Sequence, residues 1–576
     1  MIRALVSAAR SATVRSLVFF PGILIASIAS YALPAFADSG NADWPFAGAD
    51  LHNTANASKE NKLGPDNVGN LAVKWILDTV GNVSATPAVV DGSVYVTDWG
   101  TNEAGGYIYK IDATDGSIIW RHQISEFTEN PNSVSRNTPA VQGNFVVFGD
   151  QAPPATVIAI DTQYGNLIWK TIIDEQFLSS VTQSPVIYQG KIFVGTASRL
   201  EEGWSRTHPG YIRTFRGSIN ALDLQTGKVL AQTYMSPPPP TGSLIEGYTG
   251  TSVWGNTAVV DTSRNSLYIG TGDNYSTPAT ATSLDPDDHV DSVVALDLDT
   301  LQVKWAQRFG FGTGHRDTWS IGCPPGQIVG PVPSFCYIPV GYDWDFAGGP
   351  NLYTVKGQGK PVDILGAGQK SGWYWALNPD DGTVLWGTAV GPGGTLGGME
   401  WGSATDGSQI YVAIANNGHE TYGPPDGTAN TDPFAPEPNG YPLYQLSNTF
   451  NGGAWSALDA RTGSINWQVP VPGVDSKSGL AALGFSAVTV ANGVMYASST
   501  AGDMVALDAS SGATLWKYTV GGLPNPAGGS YGATNASAPA VVDSVVYWGA
   551  GYARFGGFLG RGAEHHLYAF SVPGSK

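Results

Sequence analysis

The sequence predicts an all-β protein, an eight-bladed β-propeller whose blades are four-stranded antiparallel sheets. Three observations predict it: one short unit recurs seven times, a second hairpin pattern precedes the copies, and the composition suits short strands with tight turns. The 576 residues include 74 glycines and 38 prolines, and only 13% of them are charged. This composition favours strands and turns over helices with charged faces.

The recurring unit joins the end of one strand to the start of the next. An acid or amide is followed by glycine four residues on in six of seven copies, and by tryptophan eight residues on in six of seven. The glycine supplies the positive φ of a tight turn, and the tryptophan lies in the strand that follows. In chain order the copies are KIDATDGSIIW, AIDTQYGNLIW, ALDLQTGKVLA, ALDLDTLQVKW, ALNPDDGTVLW, ALDARTGSINW and ALDASSGATLW.

A second hairpin precedes each copy, as in TPAVVDGSVYVTD and TPAVQGNFVVFGD, so each unit is a four-stranded meander. Such sheets bury both faces only when several of them pack radially. Seven units are complete, whereas the segment HLYAFSVP stops before its turn and its tryptophan strand. The strand LAVKWIL around Trp75 has no partner of its own. We therefore expect this N-terminal strand to close the eighth blade and remove the open edge.

The first 37 residues have the pattern of a signal peptide, and residues 38–576 are expected to form a single propeller domain. Arg3, Arg10 and Arg15 accompany an apolar run that ends in the small-residue sequence AFA, with cleavage expected after Ala37. No later apolar run reaches the ~18 residues needed to span a bilayer. We therefore expect a periplasmic or secreted protein without a membrane span.

The formal charge of −18 and the two cysteines restrict the partners and the chemistry. An acidic surface argues against nucleic acid or an anionic membrane as the partner. In an oxidising compartment Cys323 and Cys336 are expected to pair and close a short loop. The chain has no CxxCH motif, so it carries no attached c-type haem.

Oxygen-bearing side chains lie near equivalent strand ends in three consecutive blades. Equivalent ends converge on the axis of a propeller, so these side chains are candidates to surround a hard cation such as Ca²⁺, which takes about six to eight oxygens. Taken singly, each is better explained as a residue of a solvated loop. Blade by blade, they are Glu201 and Glu202, Asp273 and Asn274, and Asp343 and Asp345.

A second group combines cations with an indole. Lys370 comes directly before an apolar, aromatic strand, where a cation needs an anionic partner. Arg136 and Thr182 precede the first strands of blades two and three, and Trp254 has the comparable place in blade four. Cations, a hydroxyl and a flat indole beside carboxylates suit a planar, polyanionic ligand held together with a metal ion.

These features resemble the quinoprotein dehydrogenases, eight-bladed propellers with tryptophan-docking repeats that bind pyrroloquinoline quinone (PQQ) and Ca²⁺. The resemblance covers nearly all of the chain after Trp44 and is nearest to the polyvinyl alcohol dehydrogenase branch. The segments that carry it are SRNTPA, GTASRLEEG, FRGSINALDLQTG, SVWGNTAVVD, YIGTGDNYS, DWDFAGGPN, QKSGWYWALN and GGMEWGSATDG.

The resemblance implies a role for each candidate residue. Asp345 matches the catalytic base, which takes the alcohol proton while hydride passes to the quinone. Glu201, Asp273 and Asp345 match calcium-ligand positions, and Asn274 is an alternative ligand to its neighbour. Asp343 is expected to be a solvent-facing or turn residue. The residues expected to bind the cofactor are Arg136, Thr182, Trp254, Lys370, Glu400 and Trp401.

One departure bears on the substrate. Family members that act on small alcohols carry two adjacent cysteines beside the cofactor, and the residues before Arg136 contain none. We therefore expect an exported PQQ- and Ca²⁺-dependent dehydrogenase that oxidises secondary alcohols, polymeric ones included. With no haem in the chain, electrons are expected to pass to a separate acceptor such as cytochrome c. The alternatives are a non-catalytic propeller that serves as a binding or assembly scaffold, and a quinoprotein that has lost its cofactor.

Overall fold

The computed structural model describes most of the chain after residue 42. The described residues are 43–101, 105–238, 247–278, 285–309, 318–319, 341–356, 360–419, 451–474, 479–520, 524–525, 529–530, 537–552 and 565–574, without the side chains of 199–200, 524–525 and 529–530. Both cysteines and the expected signal peptide lie outside these ranges, so the disulfide and the cleavage site stay predictions. Within them, no helix has the length and apolar character needed to cross a bilayer.

Almost all of the regular structure consists of short strands. Up to the end of blade 4 these are β1 (Ala72–Asp78), β2 (Ala88–Val90), β3 (Ser93–Thr97), β4 (Tyr107–Asp112), β5 (Ile118–Gln123), β6 (Ala140–Gln142), β7 (Phe145–Asp150), β8 (Ala155–Asp161), β9 (Leu167–Asp174), β10 (Val186–Tyr188), β11 (Lys191–Gly195), β12 (Ser218–Asp223), β13 (Val229–Tyr234), β14 (Thr249–Gly250), β15 (Val259–Asp261), β16 (Ser266–Gly270), β17 (Asn274–Ser276), β18 (Ser292–Asp297) and β19 (Val303–Arg308).

The second half of the chain continues in the same way. Its strands are β20 (Asn351–Val355), β21 (Val362–Gly368), β22 (Trp373–Leu377), β23 (Val384–Ala389), β24 (Ala404–Thr405), β25 (Gln409–Ile414), β26 (Ala454–Asp459), β27 (Ile465–Pro470), β28 (Thr489–Ala491), β29 (Val494–Ser498), β30 (Asp503–Asp508), β31 (Thr514–Thr519), β32 (Pro524–Asn525), β33 (Gly529–Ser530), β34 (Ala540–Val542), β35 (Val545–Gly549) and β36 (His566–Ser571). The helical segments are a 3₁₀ turn (Val68–Asn70), α1 (Ser125–Thr128) and α2 (Arg199–Trp204).

The strands form eight four-stranded antiparallel blades, as predicted. Blades 1, 2 and 3 comprise β2–β5, β6–β9 and β10–β13; blade 4 comprises β15, β16, β18 and β19; blades 5, 6 and 7 comprise β20–β23, β24–β27 and β28–β31. Blade 8 contains β34, β35 and β36, and β1 completes it by pairing with β36, with Trp75 opposite Ala569. The expectation that an N-terminal strand closes the ring is therefore confirmed.

The tryptophan of the repeat docks on the turn of the next blade. The indole N–H of Trp169 donates to the carbonyl of Leu224 at 2.9 Å, and that of Trp467 donates to the carbonyl of Ala509 at 2.9 Å. The turn glycine Gly227 has a φ of +70°, and a Cβ there would lie 2.5 Å from the Trp169 ring. The glycine of the motif thus provides both the turn conformation and the space for the neighbouring indole.

Residues 44–60, which we name the N-terminal strap, run around the inside of the ring. Backbone hydrogen bonds join it to the inner strands of blades 1, 2, 4, 5, 6 and 7, and the carboxylate of Glu60 accepts the N–H of Ser544 in blade 8 at 2.8 Å. One segment therefore ties seven blades together. The backbone pairs are Trp44–Val89, Pro45–Val141, Leu51–Val260, His52–Leu352, Thr54–Thr405 and Ala55–Val490.

Candidate active site

The segments that lead into the first strand of each blade meet on the propeller axis. They enclose a cavity of about 40 Å³ lined by residues of blades 1 to 4 and 6 to 8. Among the lining residues are Arg136, Thr182, Trp254 and Trp401, which come from four different blades. The structure thus brings together four of the six residues that the sequence assigns to a cofactor.

Three buried carboxylates lie beside this cavity. Asp273 follows β16, and Asp343 and Asp345 lie in the segment that leads into β20. Their oxygens approach within 4.8 Å of one another. Like charges at such distances repel strongly when they are shielded from water, so the group needs a cation or protons. A site of this kind has the donor chemistry of a hard metal ion.

Lys370 supplies one positive charge to the group. Its Nζ donates to Asp343 Oδ1 at 2.8 Å and to Asp345 Oδ2 at 3.1 Å. Lys370 is only 5% exposed. Burial acts to lower the pKa of Lys370, but the neighbouring carboxylates, Asp343 foremost, outweigh it and raise that pKa well above the usual value. The lysine therefore stays charged, as its place before an apolar strand predicts.

Asp345 is the carboxylate with the most donors around it. Its Oδ2 accepts from Lys370 and from the Trp254 indole N–H at 3.0 Å, and its Oδ1 accepts the backbone N–H of Asp273 at 2.7 Å. Burial acts to raise the pKa of Asp345, but the charge of Lys370 and these hydrogen bonds lower it below the usual value. Gly272 makes the approach possible, because a Cβ there would lie 2.5 Å from Asp345 Oδ1.

The other two aspartates behave differently. Burial and the charges of the neighbouring carboxylates raise the pKa of Asp273 well above its usual value. Burial also raises the pKa of Asp343, although Lys370 offsets part of this effect. Asp273 Oδ2 and Asn274 Oδ1 are buried without a hydrogen-bond partner. These two oxygens are available to a metal ion, and both Asp273 and its neighbour Asn274 remain candidate ligands.

Aromatic rings and a second cation cover the cavity side of the group. The guanidinium of Arg136 lies 5.4 Å from the Trp254 ring centroid and 5.0 Å from that of Trp401, while Lys370 Nζ lies 4.9 Å from the Trp254 ring. Thr182 Oγ1 donates to the carbonyl of Trp254 at 3.4 Å. Trp254 therefore presents an indole with two cations near it, which suits a flat anionic ligand.

Glu400 adds a titratable group to the same place. Its side chain is buried, and its Oε2 has no hydrogen-bond partner. Burial raises the pKa of Glu400 to about 7; Lys370 lowers it in part, and the charge of Asp345 adds to the increase. Glu400 is therefore expected to titrate near neutral pH.

Asp343 corrects one expectation from the sequence. It is neither solvent-facing nor a bystander, because it is buried and forms the shorter of the two Lys370 ion pairs. The sequence YDWDF could have indicated this, because side chains two residues apart in an extended segment point to the same side. Two acids at that spacing and one nearby lysine indicate a shared cluster.

Glu201 lies outside the group of three aspartates. Its oxygens accept from the Tyr211 hydroxyl at 2.7 Å and from the backbone N–H groups of Thr214 and Phe215, each at 2.8 Å. Glu202, the next residue of α2, instead interacts electrostatically with Asp273 and Asp343. Glu202 therefore adds negative charge near the aspartates, whereas the oxygens of Glu201 accept hydrogen bonds from Tyr211, Thr214 and Phe215.

The donor set fits a divalent cation together with a planar, polyanionic cofactor. Orphaned carboxylate and amide oxygens suit the cation, and Arg136, Lys370 and the Trp254 indole suit the cofactor. The Arg136 guanidinium lies over the Trp254 ring, so a ligand stacked on that face of the indole would take the place of the guanidinium.

The chain is similar over most of its length to two polyvinylalcohol dehydrogenases. A polyvinylalcohol dehydrogenase of Pseudomonas sp. is 29% identical over 527 residues, which cover 88% of this chain and 73% of that protein. One of Sphingopyxis sp. (strain 113P3) is 27% identical over 526 residues, covering 88% and 72%. The solved quinohemoprotein alcohol dehydrogenase ADHIIG of Pseudomonas putida HK5 has the same fold, with a TM-score of 0.66 at 19% identity over 93% of this chain and 81% of that one.

A protein-family model gives the family. The model described as "Outer membrane protein assembly factor BamB" matches residues 71–307 and 370–565, which is more than half of the chain. The matched ranges contain β1 and most of the described blade strands. The chain therefore belongs to this family of repeat propellers, and over most of its length it is similar to polyvinylalcohol dehydrogenases.

Proposed function

We propose that the protein is an exported alcohol dehydrogenase that uses PQQ and Ca²⁺ to oxidise secondary alcohols, polymeric ones included, and passes the electrons to a separate acceptor such as cytochrome c. One observation carries the proposal: three buried aspartates and Lys370 surround a site whose other wall is the Trp254 indole. Burying so many ionisable groups costs stability, so a purely structural role explains them poorly. The similarity to two polyvinylalcohol dehydrogenases supports the choice of substrate class.

The cation would be held by Asp273 or Asn274 together with Asp345, and Asp343 would add a further carboxylate. Glu201 remains the further calcium-ligand position that the resemblance implies, and Glu202 would add a negative charge near Asp273 and Asp343. The cofactor would be held by Arg136, Thr182, Trp254, Lys370, Glu400 and Trp401.

Asp345 is suited to accept the proton of the alcohol. Its lowered pKa keeps it ionised at neutral pH, and the Trp254 and Asp273 N–H groups fix its orientation. At 5% exposure it is also shielded from bulk water. When bound, the quinone would supply a hydride acceptor and the cation would supply Lewis acidity. Lys370 stays charged beside Asp345 and compensates the negative charge of the site.

The family description favours a second candidate, a propeller that serves as an assembly scaffold. Such a role needs only the repeats and the outer surface of the blades. It leaves the buried group of Asp273, Asp343, Asp345 and Lys370 without a purpose. The dehydrogenase proposal explains both the repeats and the buried charges.

A cofactor titration separates the candidates. Purified protein is stripped with a chelator, titrated with PQQ in the presence and absence of Ca²⁺, and followed by quenching of tryptophan fluorescence. Dye reduction is then measured with butan-2-ol, pentane-2,4-diol and polyvinyl alcohol. We expect saturable, Ca²⁺-dependent binding and dye reduction by at least one alcohol. A protein that neither binds PQQ nor reduces the dye would refute the proposal.

Export is tested on the mature protein. Edman sequencing of protein recovered from the periplasm or medium is expected to begin at Asp38, directly after the expected cleavage site. A mature protein that retains Arg3, Arg10 and Arg15 would contradict export by this signal.

A further inference from the structure

Four aromatic side chains form an exposed cluster beside blade 3, which we name the aromatic platform: Phe177, Trp204, His208 and Tyr211. Phe177 packs edge-on against Trp204 and Tyr211, with ring centroids 6.1 Å apart in both pairs, and Trp204 stacks on His208 at 4.0 Å. Phe177 nevertheless remains 56% exposed. Exposed aromatic clusters of this kind commonly mark binding surfaces.

A buried carboxylate holds the platform in place. Glu201 is fully buried and accepts hydrogen bonds from Gln176, the neighbour of Phe177, and from Tyr211 of the platform itself. It also accepts the backbone N–H of Thr214. A carboxylate is costly to bury unless it is well hydrogen-bonded, and here its bonds fix the two segments that carry exposed rings. The aromatic surface is therefore preorganised, as a binding surface should be.

The platform is continuous with the candidate active site through α2. The carbonyl of Ser198, the N-cap residue of that helix, accepts a hydrogen bond from the Tyr275 hydroxyl at 3.1 Å, and Tyr275 lies two residues after Asp273. Trp204 is the last residue of the same helix. The segment that carries Phe177 also leads to Thr182 at the cavity. By contrast, exposed apolar residues such as Ile119 and Leu230 lie on the outer strands of their blades.

The burial of Asp345 and the charges of the site restrict what the platform holds. Asp345 is only 5% exposed, so only the reacting portion of a large substrate reaches it and the rest of a long chain lies outside. The carboxylates of the site disfavour an anionic chain. Aromatic rings bind CH and CH₂ groups. The exposed Thr207 hydroxyl, which donates to the Trp204 carbonyl and lies beside His208, has a lone pair left to accept a hydrogen bond from a hydroxyl group. An uncharged, hydroxylated carbon chain meets these requirements.

We propose that the aromatic platform binds the flanking part of an extended, uncharged polyhydroxylated chain whose reacting carbinol lies at Asp345. This inference rests on the proposed function and names its substrate class. It assigns Phe177 a role in selecting long substrates over short ones.

The test compares Phe177→Ala with a matched control, Ile119→Ala, which removes an apolar side chain of similar exposure (49%) from an outer strand. Binding of polyvinyl alcohol to cofactor-free protein is followed by tryptophan fluorescence or calorimetry. Dye-linked kcat/KM is measured for polyvinyl alcohol and for pentane-2,4-diol. We expect Phe177→Ala to weaken polymer binding and to lower the polymer-to-diol ratio of kcat/KM about tenfold, and Ile119→Ala to change neither.

An unchanged polymer-to-diol ratio in Phe177→Ala, or equal changes in both variants, would overturn the proposal. If Phe177→Ala slows reduction of cytochrome c but not dye-linked polymer oxidation, the platform is an acceptor surface and the proposal is also wrong. If the wild-type protein binds the polymer through Phe177 yet oxidises no alcohol, the proposed binding role of the platform is supported and the proposed dehydrogenase activity is refuted.

Discussion

Lys370 is the side chain that lets three aspartates share one buried volume. It donates to both Asp343 and Asp345, whereas the third carboxylate, Asp273, keeps an oxygen without a partner. The three aspartates are thus chemically distinct although they lie within a few ångströms. Asp345 has a lowered pKa and the most donors, while Asp273 and Asp343 have raised pKa values.

Mutation can therefore compare Asp345, proposed as both base and metal ligand, with Asp343, proposed as a metal ligand only. In Asp345→Asn the amide cannot accept the alcohol proton, so dye-linked kcat is expected to fall about 100-fold or more while thermal unfolding shows an intact fold. The measurement is dye reduction with a saturating secondary alcohol, PQQ and Ca²⁺.

Asp343→Asn is the matched control, with the same chemical change two residues away. Here we expect kcat to persist at saturating Ca²⁺, while the Ca²⁺ concentration for half-maximal activity rises about tenfold because the ligand set has lost one charge. Equal loss of kcat in both variants at saturating Ca²⁺ would show that Asp345 has no special role as base.

Glu400 gives cofactor binding a dependence on pH. With a pKa raised to about 7, Glu400 is mostly protonated at pH 6 and mostly ionised at pH 8. The added negative charge repels an anionic cofactor, so we expect PQQ affinity to weaken as pH rises through 7, by up to roughly tenfold between pH 6 and 8. PQQ titrations of wild type and Glu400→Gln at both values, at constant Ca²⁺, check this. A pH dependence that is equally steep in Glu400→Gln would exclude Glu400 as its source.

The sequence predicts the chemistry of the site better than the orientation of its side chains. Asp345, Lys370, Arg136 and Trp254 lie together because equivalent strand ends of a propeller must converge. Adjacent acids such as Glu201 and Glu202 project about 100° apart around a helix, so the placement of that helix decides which one faces the site. That placement depends on contacts of an inserted loop, which no repeat encodes.

At the scale of the blade, the glycine and tryptophan of the repeat together form the contact between neighbouring blades. The turn glycine of one blade lies against the indole of the blade before it, as Gly227 does against Trp169. The spacing of the motif was predictable because the glycine and the tryptophan take part in the same contact between neighbouring blades. The structure of the insertions between blades was not predictable, because the insertions do not contain this contact.

Gly227→Ala and Gly92→Ala separate the two reasons for a turn glycine, which are the left-handed backbone conformation and the space for the neighbouring indole. Both glycines have a φ of +70°, but a Cβ at Gly227 would lie 2.5 Å from Trp169, whereas a Cβ at Gly92 would have no atom within 4 Å. The left-handed backbone costs each variant about 1 to 2 kcal/mol. Gly227→Ala is expected to lose a further ~1 to 3 kcal/mol from displacement of the indole. Urea unfolding measures both; equal losses would show that the indole contact contributes nothing.

At the scale of the whole molecule, the N-terminal strap joins blades that are far apart in sequence. It hydrogen-bonds Val89 near the start of the ring and Val490 near its end. The repeat pattern did not predict this strap, because its contacts are backbone bonds that need no particular side chain. The ring itself was predictable from the count of strands.

Removing the strap is expected to loosen the ring without abolishing it. A chain that begins at Lys62 keeps β1 but loses the bonds to seven blades, so we expect its Tm to fall by roughly 5 °C or more. The control begins at Asp43 and keeps every strap residue. Differential scanning calorimetry of the two compares them directly, and identical Tm values would mean that the strap does not support the ring.

The pairing of β1 with β36 has a consequence for biosynthesis. The ribosome releases β1 long before β36, so the first-made strand has no partner until the last one emerges. Throughout that interval the nascent chain exposes an open sheet edge that can pair with other chains. A nonsense mutation just before His566 would therefore do more than remove one strand. It would leave a nearly full-length product in which the edge of the eighth blade is never paired, and this product would be prone to aggregation.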